Sequence, residues 1–396
     1  MRILFFAGKG GVGKTSVAAA TGVRAADQGC RTLILSLDVA HSLADIFDLD
    51  RGLLDQRRGR PVKVQPNLWI QELDIQEEIE RNWGDIHRYL SGLLNTTGLN
   101  EVLAEELAVL PGMEEVSLLL YINEYVRQGR FDALVLDCAP TGESLRFISI
   151  PTTLEWYMKK LFKLERTIVR CARPLAKRLT DVPLPGEDYF KALERLFSRP
   201  EGVDRILTDP AVTTVRLVTN PEKVVIKETQ RAFMYFCLYR MSIDAIIMNR
   251  LLPTGLREEF FSDWLISQGR YAELARHYFH PVPVLPVNLF QGEILGRRRL
   301  AALAAAIYGE RNPLDRFFEE ELYRLVKEDG RYRLQLKLPF VVRESIDLSK
   351  VSDELILRIG SYKRHIMLPK PLLSAASVTA RVDPPYLNIL FGGIDP

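Results

Sequence analysis

The chain opens on an apolar run, Arg2-Ile3-Leu4-Phe5-Phe6-Ala7, followed at once by Gly8-Lys9-Gly10-Gly11-Val12-Gly13-Lys14-Thr15. This junction leaves little choice of fold. Gly8, Gly13, Lys14 and Thr15 have the spacing of a phosphate-binding loop, whose glycines let backbone N–H groups close around an oxyanion. Such a loop sits between a strand and a helix, and residues Ser16 to Ala26 form an Ala-rich helical stretch. The helix then points its positive end at the same phosphates. Lys14 is expected to reach the β- and γ-phosphate oxygens, and the Thr15 hydroxyl to ligate Mg²⁺. Gly8, Lys9, Gly10, Gly11, Val12, Gly13, Lys14, Thr15 and Ser16 are therefore the first candidate nucleotide contacts.

Lys9 adds information. A lysine at the second position of the loop does not easily fold back onto its own γ-phosphate. The string Gly8–Thr15 resembles the deviant class of these loops. In that class this lysine acts across a dimer interface, on the partner's nucleotide. The alternative reading of Lys9 is a solvated surface lysine among glycines.

Short β-branched runs alternate with helical stretches to about residue 308. Strands are expected at Ile3–Ala7, Thr32–Leu37, Leu68–Leu73, Ala133–Asp137, Thr214–Thr219, Ala245–Met248 and Val282–Val287. Several are almost wholly apolar, as strands covered on both faces should be. The pattern predicts an α/β fold: a parallel sheet wrapped by helices, with its ligand at the carboxyl ends of the strands. Residues 74–129 and 151–209 are too long for simple crossovers and read as a helical subdomain. Pro111-Gly112 breaks the first stretch, and Pro183-Leu184-Pro185-Gly186 the second.

The grammar changes after Asn312-Pro313. Leu314–Glu321 suits a short linking helix. Leu322–Lys327 and Arg331–Leu338 then flank Glu328-Asp329-Gly330, a hairpin signal. Tyr332, Leu334, Leu336 and Leu338 alternate with polar residues, and further strands fit Leu355–Ile359, Lys363–Leu368, Ser377–Val382 and Tyr386–Phe391. This predicts a small all-β sandwich. The expected organisation is an ATPase domain at 1–312, a linker at 313–327 and a β domain at 328–396.

Two acidic strand ends extend the phosphate-binding motif. Asp137 opens Asp137-Cys138-Ala139-Pro140-Thr141-Gly142, where a carboxylate can hold Mg²⁺ directly or through water. Asp38 opens Asp38-Val39-Ala40-His41-Ser42 and is the candidate to orient or deprotonate the attacking water. Each is alternatively an acid that caps the turn after its strand. The Mg²⁺ candidates are Thr15, Asp38 and Asp137; the catalytic candidates are Asp38, Lys9 and Lys14.

Taken together, Gly8–Thr15, Asp38–Ser42, Asp137–Arg146 and Asn249 resemble the arsenical pump-driving ATPases and their relatives. Those relatives include the eukaryotic ATPase that targets tail-anchored membrane proteins. The similarity spans roughly residues 1 to 310, and Pro111-Gly112-Met113-Glu114-Glu115 joins it. It implies an ATP-hydrolysing homodimer, with Asp38 in switch I and Asp137 in switch II. Asn249 would contact adenine, with Pro286 and Val287 as further nucleotide contacts. Val39 stands where the family usually has Pro, and Glu143 where a His is common; neither change removes a phosphate or metal ligand. The targeting ATPase holds a zinc by Cys-x-x-Cys at its dimer interface. Cys30, Cys138, Cys171 and Cys237 provide no such pair, so no zinc is expected. Residues 328 to 391 resemble an α-crystallin domain, through Leu334–Pro339, Leu355–Ile359, Leu368-Pro369 and Tyr386–Ile389. The whole resembles the subfamily carrying a C-terminal domain of that kind.

Composition sets the remaining bounds. A net charge of +2 argues against general nucleic-acid binding. No run approaches the ~18 apolar residues of a membrane span. The opening strand leaves no room for a targeting peptide, which predicts a cytoplasmic protein, or one of a stroma-like compartment if a precursor is processed. Residues 159–178 hold eight Lys/Arg and one acid. Lys159, Lys163, Arg166, Arg170, Arg173 and Lys177 recur at helical spacing, with Leu161, Leu164, Ile168, Cys171 and Leu175 on another face. Such a helix suits transient contact with a membrane surface, a partner groove or a hydrophobic client. A solvated basic face over a core-facing apolar one is the other reading. Leu90, Leu93, Leu94, Leu99, Val102, Leu103 and Leu107 form a second apolar series. By resemblance such helices line a groove for a tail-anchored segment; core packing is the commoner fate of leucines.

The leading expectation is a homodimeric ATP switch for hydrophobic clients, as chaperone or targeting factor. The alternatives are the energising subunit of an anion or metalloid efflux pump, and a partition-type or metal-cofactor maturation ATPase.

Overall fold

The computed structural model describes residues 1–36, 42–50, 59–95, 113–138, 147–151, 153, 162, 167, 169, 186–198, 202–256, 259–328 and 331–392. An eight-stranded sheet runs in the order β3-β4-β2-β5-β1-β6-β7-β8. Its strands are β1 (Arg2–Ala7), β2 (Thr32–Ser36), β3 (Val62–Gln65), β4 (Leu68–Glu72), β5 (Ala133–Asp137), β6 (Thr213–Thr219), β7 (Ile243–Leu251) and β8 (Val284–Asn288). All pairings are parallel except β3 with β4. The expected α/β fold is therefore present. β3 escaped the sequence reading because it is a four-residue edge strand with one buried apolar residue, Val62.

Two apolar layers enclose the sheet. On one face Leu4, Phe6, Ile34 and Val135 meet α1 (Lys14–Asp27) and α9 (Gly296–Tyr308), through Val17, Ala18, Leu300 and Ala304. On the other, Ile3, Phe5, Leu33 and Leu134 meet α4 (Met113–Gln128) and α7 (Lys223–Leu238). Further helices among the described residues include α2 (Ser42–Ile46), α3 (Gly84–Asn95), α5 (Glu187–Ser198), α6 (Val203–Thr208) and α8 (Ser262–Phe279).

A π-helical turn, Ile79–Trp83, leads into α3. It packs with α4 and α5 around Trp83, Ile86, Met113, Leu120, Phe190 and Leu193. This is the described part of the helical region. Leu99, Val102, Leu103 and Leu107 lie outside the described residues, as do the side chains of Leu90, Leu93 and Leu94 and the lysines, arginines and apolar positions singled out in 159–178.

The C-terminal unit has two antiparallel sheets, ordered β14-β15-β10-β9 and β11-β12-β13. They comprise β9 (Tyr323–Glu328), β10 (Arg331–Lys337), β11 (Ile346–Val351), β12 (Glu354–Ile359), β13 (Tyr362–Met367), β14 (Ser377–Asp383) and β15 (Tyr386–Gly392). The β9–β10 hairpin, its alternation and the later strands follow the sequence pattern. β11 was missed because its burial merely alternates between half-buried and exposed. β9 begins inside the span expected to be linker.

The expected helix at Leu314–Glu321 is absent, and the reason is tertiary. Arg2 Nε donates to the Leu314 carbonyl at 3.0 Å, and Arg216 Nη2 to the Asp315 carbonyl at 3.0 Å. Acceptors that a helix would use are held by the neighbouring domain.

The β unit docks on α7 through aromatic contacts. Tyr235 and Tyr362 rings lie 3.9 Å apart. Phe340 sits 6.2 Å from Phe233 and 6.1 Å from Phe279. Its backbone is left-handed (φ 69°), an uncommon state for a bulky residue, and these rings surround it.

Among the described residues one ion pair is wholly interior. Arg216 of β6 and Asp244 of β7 are both 0% exposed, with Nε to Oδ1 at 3.0 Å and Nη2 to Oδ2 at 3.1 Å. Nη1 donates to the Tyr308 hydroxyl at 3.2 Å. Burial opposes the charge, but Asp244 and Tyr308 reverse that and hold the guanidinium pKa above its ordinary value. Removing one partner strands a charge in the core. Arg216→Met should therefore cost about 3–5 kcal/mol in denaturant unfolding, and adding Asp244→Leu should recover most of it. Equal losses for the single and double variants would contradict this.

Candidate nucleotide-binding site

The carboxyl ends of β1, β5, β6 and β7 converge on the loop Gly8–Gly13. Asp137, at the end of β5, pairs in register with Phe6 and with Ser36. Gly8 lies directly on β6: a Cβ there would stand 2.2 Å from the Val218 carbonyl oxygen. Gly13 is left-handed (φ 93°), and a Cβ there would stand 2.5 Å from Asn249 Nδ2. Only glycine meets both demands.

The loop's carbonyls are tied to β7. Asn249 Nδ2 donates to Val12 O at 2.9 Å, and Arg250 Nη1 to Gly11 O at 2.7 Å. In a planar trans peptide the N–H points opposite to its C=O. Fixing the carbonyls of Gly11 and Val12 toward β7 thus turns the N–H groups of Val12 and Gly13 the other way, as an anion cradle requires. α1 then begins at Lys14 with no acidic residue in its first turn, so no carboxylate competes for its positive end.

Lys14 is buried, and its Nζ donates to the Lys9 carbonyl at 3.4 Å, spanning the loop. Lys9 is half-buried and makes no ion pair among the described residues. Thr15 and Ser16 are half-buried at the helix start. Asp137 is fully buried at the strand end beside them, and the Cys138 N–H donates to Phe6 O at 3.1 Å. A hydroxyl and a carboxylate are hard oxygen donors, the kind Mg²⁺ prefers. The residues present therefore fit a nucleotide-bound Mg²⁺.

Asp38, Val39, Ala40 and His41 lie outside the described residues, as do Ala139, Pro140, Thr141 and Gly142; of Ser42 only the backbone is described. Just beyond the first of these segments, Glu72, at the end of β4, accepts from the N–H groups of Leu43 at 2.8 Å and Ala44 at 3.3 Å. It thereby fixes the start of α2. Pro286 is exposed on β8, opposite Met248 in register, whereas Val287 turns its side chain into the core.

Three residues here escaped the sequence reading. Glu72 shares the cue that singled out Asp38 and Asp137, an acid closing an apolar strand. Arg250 and Asn220 gave none beyond following such a strand. Asn220 is buried just past β6, and its Oδ1 has no hydrogen-bond partner among the described residues.

Comparison with known proteins agrees with this geometry. Residues 1–309 match the anion-transporting ATPase family, and residues 329–391 match the HSP20-like domain found in ArsA. Putative arsenical pump-driving ATPase 1 of Aquifex aeolicus is 49% identical, over 97% of this chain and 98% of that protein. A putative arsenical pump-driving ATPase of Prosthecochloris vibrioformis is 39% identical, over 99% and 96%. The ATPase ASNA1 homolog of Entamoeba histolytica is 27% identical, over 77% and 93%.

Asn249→Ala removes a buried hydrogen bond worth about 1–3 kcal/mol, so ADP binding measured by calorimetry should weaken roughly tenfold. Arg250→Ala, at an exposed position, should have the smaller effect. An unaltered Kd for Asn249→Ala would mean that the loop keeps its shape without β7.

Proposed function

The chain belongs to the anion-transporting ATPase family, and from that premise we propose that this ATPase is a Mg²⁺-dependent homodimeric switch that binds hydrophobic segments of client proteins. Its role on this reading is that of a chaperone or a membrane-protein targeting factor. The observation that carries the switch is Lys9. It extends a loop whose own lysine, Lys14, already spans the cradle, and it is not engaged in an ion pair among the described residues.

Lys14 and the N–H groups of the loop hold the β- and γ-phosphates. Thr15, Asp137 and Asp38 hold Mg²⁺, which neutralises phosphate charge when bound. Asp38 orients the attacking water and accepts its proton. Lys9 of each subunit stabilises charge on the partner's nucleotide, so turnover requires two chains. Asn249 and Pro286 flank the base, with the Val287 backbone beside them. The segments after Asp38 and Asp137 carry the change outward to the helices.

The dimer reading has support at the same edge of the sheet. α8 follows β7, and Gln268 ties it there through 2.8 Å hydrogen bonds with both the N–H and the carbonyl of Leu252. Near its start Phe260, Trp264 and Ile266 are 77%, 53% and 72% exposed. Exposed large apolar side chains on an element tied to the end of β7 suit a subunit contact. The client reading rests on the leucine series and the basic stretch of the sequence. Among the described residues no helix is long and apolar enough to cross a membrane.

A pump-energising subunit is the second reading, favoured by the names that the Aquifex and Prosthecochloris relatives carry. Turnover that rises with an arsenic or antimony oxyanion would select it.

Lys9→Ala should lower kcat by about 10³, the scale of a charge donated in trans, while leaving ADP affinity within about threefold. Mixing it with an Asp38→Asn chain should restore part of the activity, since one composite site keeps both groups. Full turnover by Lys9→Ala alone would remove the trans mechanism. For the client reading, an Asp38→Asn trap loaded with ATP should hold a tail-anchored or amphipathic peptide that the ADP form releases. Failure to hold such a peptide in every nucleotide state would overturn it.

A further inference from the structure

A cavity of about 230 Å³ opens where the β unit meets the nucleotide-binding unit, far along the chain from the phosphate loop. Its walls come from both units: α6 and the turn after α7 on one side, β9 and β13 on the other. Two guanidiniums line it. Arg240 lies 5.4 Å from the Tyr323 ring centroid, and Arg364 lies 5.0 Å from that of Tyr239. Each arginine is thus seated on an aromatic face, which fixes the group and leaves its N–H edge available.

Neither arginine forms an ion pair among the described residues. Arg364 Nε is buried and has no hydrogen-bond partner there, so the hydrogen bonding of this guanidinium falls to its outer N–H groups. Other groups do not answer that need. Asp204 is the one carboxylate among the described lining residues. His365, beside Arg364, is engaged with Glu354 at 2.9 Å. The Tyr323 hydroxyl donates to the Leu238 carbonyl, and the Tyr239 hydroxyl to the Lys363 carbonyl at 3.4 Å. Burial pushes Tyr323 up to about 12, so it stays a neutral donor and adds no negative charge. The rest of the wall mixes the Thr208 hydroxyl with apolar side chains, among them Ile148, Leu207, Met241 and Ile366.

We propose that this joint between the two units is a binding site for a small carboxylate with an apolar body, held by Arg240 and Arg364 against the Leu207–Met241–Ile366 wall. A planar carboxylate matches the guanidinium fork. The apolar side chains of the lining favour a ligand with a nonpolar body over a bare oxyanion. A ligand there touches both units and braces one on the other.

The test is calorimetric titration of the full chain with benzoate, the nucleotide site being kept saturated with Mg·ADP so that anions do not report on the phosphate loop. One benzoate per chain is expected, with acetate at least tenfold weaker. Arg364→Met and Arg240→Met should each weaken benzoate at least tenfold. Asp204→Asn should tighten it, a gain that misfolding does not imitate. The proposal is overturned by absent saturable binding, by acetate binding as well as benzoate, or by both arginine variants binding normally.

Discussion

A backbone surrounds a phosphate only if its carbonyls are held away from it. Here β7 does the holding. Asn249 and Arg250 take the carbonyls of Val12 and Gly11, and the opposite edges of those peptides become donors. Everything else at the site assumes this. Gly8 must lie on the β6 backbone for the loop to reach β7, and Gly13 must be left-handed for α1 to start beneath the cradle. A parallel sheet with β1 between β5 and β6 satisfies these demands together, because it brings all the strand ends to one edge.

The second organising element is α7. It follows β6, whose end touches Gly8, and it carries the β unit through Tyr235 and Phe233. Apolar packing runs without a break from Phe5 and Leu134 in the sheet, through Phe236, to Leu336 and Leu357 in the β sandwich. One helix therefore separates the phosphate loop's neighbour from the accessory domain. Phe340, in a left-handed turn, meets the stacked pair Phe233 and Phe279 edge-on and adds to that contact.

The interior of this protein was far more legible in the sequence than its edges. β1 and β5 could be read because both faces are covered, so Ile3–Ala7 and Ala133–Leu136 are apolar in unbroken runs. Their acidic or glycine-rich ends then marked the ligand edge. β3 and β11 could not, since a half-exposed edge strand needs little apolar sequence. The stretch from Leu314 to Glu321 reads as a helix by composition but is not one, because Arg2 and Arg216, distant in sequence, take its carbonyls. The site divides the same way. The phosphate loop is a local motif and announces itself. Glu72 and Arg250 act through neighbours 28 to 239 positions away, and Asn220 through burial alone; no pattern along the chain encodes that.

The interior arginine also alters where the first unit ends. Arg216 is covered by the Phe317 ring at 4.5 Å and spends a donor on the Asp315 carbonyl. Both residues belong to the connector. A chain cut at residue 312 would keep every catalytic candidate, yet would open that guanidinium and its carboxylate to water. The nucleotide-binding half thus borrows its last piece of wall from the strap that leads out of it. The connector is thus wall as well as link, and the two domains share it.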